Sequence, residues 1–187
     1  MKRNIFSLFV FGLLLLTSGF SPEIIPVPTR KIQKAVSKIL KSNSFKLIPL
    51  KRDACDDMGR FFGILDDADT LGYVFAGRVN SCRTGGCFAE HSETREPVNL
   101  EFEYFDYFVI YGKYKEIKRV QIYNYQATHG QDVGGRGWLN QFKGYAGTRT
   151  LEYGSDIEAI SGATVSAMAM IESLQAVTTC LNQKKLP

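Results

Sequence analysis

The stretch Asp156-Ile-Glu-Ala-Ile-Ser161-Gly-Ala-Thr164-Val-Ser-Ala167 opens a run in which Ala167, Ile171, Leu174, Val177 and Leu181 recur at three- and four-residue steps. That period places them on one face of an amphipathic helix, so Ser161-Gly162-Ala163-Thr164 is its mouth. The first backbone N–H groups of a helix have no internal partner and carry the positive end of the macrodipole, which suits them to an anion such as a phosphate. Gly162 lets a backbone approach closely, and Ser161 and Thr164 add hydroxyls. A Ser or Thr at a helix start is also an ordinary N-cap. These four residues alone do not separate the two readings.

Upstream lies Thr128-His129-Gly-Gln131-Asp-Val-Gly134-Gly135-Arg-Gly137-Trp138-Leu-Asn-Gln141-Phe142-Lys-Gly144. Together the two segments resemble the FMN-binding domain family, which includes the covalent-flavin subunits of the sodium-translocating NADH:quinone reductase and of the Rnf electron-transport complexes. Members carry Ser/Thr-Gly-Ala-Thr with FMN joined to the Thr by a phosphoester, preceded by a His-x-Glu-Thr-Pro-Gly-x-Gly loop and Gln-Phe-x-Gly. Here those motifs read Ser161 to Thr164, His129 to Gly137 with one residue inserted, and Gln141-Phe142-Lys143-Gly144. Glu158 stands where the family has Asp six residues before the acceptor, with Asp156 two residues further back, and Gln131, Asp132 and Val133 replace Glu, Thr and Pro. The resemblance covers roughly residues 117 to 182. It implies FMN as cofactor, held by Thr164, Ser161, Gly162, Ala163, Glu158, His129, Gln131, Gly134, Gly135, Gly137 and Gln141. It also implies a flavin transferase for maturation and redox donor and acceptor proteins in the membrane or envelope.

The 187 residues make about one domain, with 44% hydrophobic and 22% charged side chains and a net charge of +4. No basic block argues for nucleic acid. Residues 1–21 read as an export signal: Lys2 and Arg3, an apolar run from Ile5 to Leu16, then small residues suited to cleavage. An uncleaved membrane anchor competes with this reading, although the run is shorter than the roughly 20 residues a spanning helix needs. The chain is therefore expected to be exported, to the periplasm or cell envelope. In residues 22–44 a Pro-bearing linker leads to a short helix capped by Thr29, with Ile32, Val36, Ile39 and Leu40 on one face and Lys31, Lys34, Lys38 and Lys41 on the other. Its apolar face is expected to dock and its basic face to remain in solvent. Residues 45–187 form the domain.

Within that domain Lys46 to Leu50 reads as a short strand, and Phe61 to Leu65 with Gly72 to Ala76 as a hairpin turning at Asp66 to Asp69. Phe105 to Tyr111 is a strand buried on both faces, returned by Ile117 to Tyr125. Ser81 to His91 reads as an insertion whose Cys82 and Cys87 form the expected disulfide of an exported protein. A redox-active pair, a metal bound with His91, and a haem are the competing readings; the haem lacks Cys-x-x-Cys-His and the metal lacks a fourth ligand.

The fold class expected is α+β, antiparallel hairpins with packed helices and the C-terminal helix at the flavin site. No nucleophile elbow, dinucleotide glycine fingerprint or P-loop is present. The reading is an extracytoplasmic FMN-bearing electron carrier or redox subunit rather than a stand-alone enzyme. The alternative is a non-redox binding or assembly module of the same fold with loose or no flavin.

Overall fold

The computed structural model describes residues 25–50, 58–67, 69–83 and 102–184. The expected export segment, the expected Cys82–Cys87 bond and His91 all fall on parts of the chain outside these residues or their described side chains. The architecture is α+β, as the sequence pattern implies. Helix α1 (Thr29–Leu40) precedes a five-stranded antiparallel meander of β1 (Lys46–Pro49), β2 (Gly59–Asp66), β3 (Asp69–Arg83), β4 (Phe102–Gly112) and β5 (Ile117–Tyr125). A short helix α2 (Arg136–Leu139) and the long α3 (Thr164–Gln183) follow.

Alternation along the strands divides the core in two. Ile64, Val74, Ala76, Phe108 and Ile110 pack under Ile32, Ala35 and Val36 of α1. Phe75, Tyr107, Val109 and Tyr111 face the opposite way, onto Ala167, Met170, Ile171, Leu174 and Val177 of α3. β4 lies between both layers, which is why Tyr107 to Tyr111 is apolar on both faces. Two of its tyrosines tie α3 down: Tyr107 Oη is 2.7 Å from Ser173 Oγ and Tyr111 Oη is 3.1 Å from Thr178 Oγ1. Burial pushes both phenols above their ordinary pKa, so each stays a neutral hydrogen-bonding group.

Two local expectations are corrected. Thr29 does not cap α1: the N-cap is Pro28, no side chain caps the helix, and Thr29 Oγ1 instead donates to Val27 O at 3.5 Å. β3 runs on to Arg83, so the Ser81-Cys82 end of the supposed insertion belongs to a strand. Cys180, buried on α3, is disulfide-bonded.

Two charged residues are buried among those described, Asp106 within the sheet and Lys184 at the end of α3. Asp106 is fully buried in β4 and lies in register between Arg78 of β3 and Asn124 of β5. Arg78 donates to it twice, at 2.7 and 3.2 Å, and Asn124 Nδ2 donates at 2.7 Å. The Arg78 guanidinium also lies 3.5 Å from the Tyr104 ring centroid.

Candidate functional site

The site is built by three segments that converge beside the start of α3. The first is the turn after β5. Tyr125 stacks on Phe105 at 5.4 Å, and its hydroxyl donates to the His129 carbonyl at 2.6 Å while lying 3.5 Å from Ser166 Oγ. Burial raises the Tyr125 pKa, so the donor proton is retained. Thr128 Oγ1 donates to Glu103 at 2.6 Å and lies 2.8 Å from His129 Nδ1. Gly130 then adopts φ 77°, and a Cβ there would fall 2.7 Å from Ser166 Oγ. Only glycine satisfies both that backbone and that contact. The loop motif and the first turn of α3, 36 residues apart in sequence (166 − 130), therefore touch.

The second segment runs through Gln131–Gly134, a 3-10 turn, into α2. Val133, Trp138, Leu139 and Phe142 are buried and anchor it, whereas Gln131, Gly134, Gly135 and Gly137 are exposed. Gly134 and Gly137 do not have positive φ, and a Cβ added to either would meet nothing within 4 Å. Neither the backbone nor the neighbouring protein requires glycine at these two positions.

The third segment approaches α3 from below. Trp138 Nε1 donates to the Glu158 carbonyl at 2.8 Å, and the Glu158 N–H donates to Gln141 Oε1 at 2.9 Å. Gln141 thus acts on the site through the Glu158 backbone. Tyr153, which the sequence reading passed over, is the third fixing point. Its hydroxyl accepts the Ile160 N–H at 2.9 Å and lies 3.2 Å from Ile160 O and 3.5 Å from Thr164 Oγ1. No sequence motif marks it; the Gly154 turn, with φ 84°, brings it back against Ile160.

These contacts hold the mouth of α3 open. Its N-cap is Ala163, and neither Ser161 nor Thr164 caps it with a side chain, so the ordinary N-cap reading of those hydroxyls fails. Ala163 is buried and fixes the turn, while Ser161, Gly162 and Thr164 are exposed and Gly162 has φ 77°. Val165 and Met168 stand beside them, 40% and 45% exposed. Uncapped N–H groups, two outward hydroxyls, exposed apolar side chains and glycines facing open space form a surface suited to a flat ring bearing a phosphate. The Glu158 carboxylate and the Gln131 side chain are exposed, and among the described residues no hydrogen bond joins either to Thr164.

Asp156 serves the turn below. Its carboxylate accepts the Glu152 N–H at 2.9 Å and pairs with Arg149, and these two contacts hold its pKa below the usual carboxylate value. Stability from a lowered carboxyl pKa is present above the unfolded value of about 4 and is lost as pH falls through the folded one. Asp156→Asn is expected to lower the thermal midpoint at neutral pH, and the difference from the unsubstituted protein should shrink as the pH falls below the usual carboxylate range. A pH-independent difference would contradict this role.

Residues 104–179 match the family model described as FMN-binding domain. No curated protein matches the chain. The matched span holds β4 from Tyr104, β5, the glycine loop, α2 and the first sixteen residues of α3 (164 to 179), so it contains all three segments of the site.

Proposed function

We propose that this chain, whose residues 104–179 match the FMN-binding domain model, is an exported electron-transfer flavoprotein whose FMN is bonded through its phosphate to Thr164. The observation that carries this reading is the mouth of α3: an exposed Thr164 hydroxyl at a helix start that no side chain caps. When bound, FMN supplies one- or two-electron transfer at its ring.

The chain's own residues do the rest. Ser161 and the N–H groups of the first turn face the anionic end. Tyr153 keeps the Ile160 to Thr164 turn in shape with a single hydroxyl that both accepts from Ile160 N and reaches Thr164 Oγ1. Gly134 and Gly137 leave room for close approach, and Val165 and Met168 offer apolar surface. His129 is set by Tyr125 and Thr128, at its carbonyl and its ring nitrogen respectively. A covalent tether suits an exported carrier, because it fixes the local concentration of a cofactor that would otherwise be diluted. A flavin transferase and separate donor and acceptor proteins complete the scheme.

Gly137→Ala is a sharp check on the open glycines. Within α2 alanine should leave stability unchanged or raise it by up to about 1 kcal/mol, yet flavin content per chain should fall. Retained stability with undiminished flavin would remove Gly137 from the site.

The electron-transfer reading is tested by anaerobic reduction of the matured protein, followed by addition of an acceptor. Bleaching of the visible flavin absorption by reductant and its return on reoxidation are expected. A colourless protein would instead favour a non-redox binding or assembly module, the reading that Gln131, Asp132 and Val133 in the loop keep open.

A further inference from the structure

The outward face of α1 remains unused by the flavin site. Arg30, Lys31, Lys34, Lys38 and Lys41 are all exposed along α1 and its C-cap, and the helix has no acidic residue. Lys31 reaches the Tyr123 carbonyl at 3.5 Å. Among the described residues the ion pairs are Arg78–Asp106, Lys118–Glu116 and Arg149–Asp156, and none draws on these five cations. Arg60 extends the patch, because it faces the same side as Phe62 and Ile64 and is exposed. The carboxylates Asp132, Glu152, Asp156, Glu158 and Glu172 are exposed in the layer of loops and α3 across the sheet, where Arg136, Lys143 and Arg149 are exposed as well and Lys115 and Lys184 lie at the C-terminal end of α3. Charges of both signs thus meet on the α3 side, whereas α1 itself presents cations alone.

We infer that the α1 face is a docking surface for anionic lipid headgroups. Charge complementarity selects the partner, and the geometry selects the mode. Ile32 and Val36 are fully buried against the sheet, so α1 has no apolar face left to insert. It adsorbs through a row of cations spread along a helix about 18 Å long. No aromatic residue interleaves with these cations, as single-stranded nucleic acid would require. The apolar export segment lies immediately upstream in sequence, so α1 is the first element of the fold to follow it. Docked this way, α1 turns toward the bilayer and the mouth of α3, on the opposite face of the sheet, turns toward solvent and its redox partners. Only that last consequence rests on the flavin reading.

The test is co-sedimentation of the matured, exported protein with vesicles of phosphatidylethanolamine and phosphatidylglycerol, compared with vesicles of phosphatidylcholine alone. Binding to the anionic vesicles is expected, and it should be lost toward 1 M salt, where the screening length has shrunk to about 3 Å. Lys34→Glu with Lys38→Glu should weaken it about tenfold or more, and Lys34→Gln with Lys38→Gln by an intermediate factor. Flavin content should not change, and the thermal midpoint should fall only slightly, because Lys38 complements the dipole in the last turn of α1. Equal binding to both vesicle types, no binding to either, or unchanged binding by the charge-reversed protein would each overturn the assignment. A protein that docks but lacks flavin would leave it standing while removing the redox reading.

Discussion

Trp138→Ala is expected to lower the free energy of unfolding by about 3–5 kcal/mol, the range for removing a large buried aromatic. Trp138 is 8% exposed, belongs to the core beneath α3, and meets Phe142 edge-on at 5.2 Å. Its indole N–H also holds the Glu158 carbonyl. Trp138→Phe separates the two roles, because it keeps most of the ring and deletes the donor, at a further cost of about 0.5–1.5 kcal/mol for the lost bond. The milder variant should still lose flavin, since the Glu158 to Thr164 approach would then be held by Gln141 and Tyr153 alone. Urea unfolding and flavin absorbance measure the two effects. An alanine variant as stable as the unsubstituted protein would show that α2 is not part of the folded core.

Asp106→Ala should be comparably damaging, about 3–5 kcal/mol, because breaking a buried ion pair costs far more than forming one gains. The substitution takes away the acceptor that Arg78 and Asn124 share across three strands. Exchanging Arg78 and Asp106 together for apolar residues of similar size should recover most of the loss. If the single variant costs under about 1 kcal/mol, the pair behaves like a surface salt bridge and the row does not fix strand register.

Much of the fold was legible because its signals are local. Turn-bounded strand runs marked β2 and β3, alternation with apolar residues on both faces marked β4 and its return marked β5, and the period after Thr164 marked α3. The loop and helix motifs were legible as residue types and spacings. What escaped depends on contacts distant in sequence. Tyr153 meets Ile160 only because Gly154 turns the chain, and Gly130 meets Ser166 only through the packing of α3 on the sheet. Asp106 looked like one polar residue in an aromatic strand, and its partners are set by register with β3 and β5. The Thr29 cap failed for a different reason. Pro28 at the N-cap leaves Thr29 inside the helix, where its hydroxyl turns back to Val27.

The attachment of FMN to Thr164 is tested most directly by intact mass. The exported chain and its Thr164→Val variant would each be coexpressed with a flavin transferase and weighed after denaturation. The unsubstituted chain should carry the added mass of one FMN phosphoester, and the valine variant should carry none. A bare polypeptide mass for both, or the same added mass on the variant, would contradict the account.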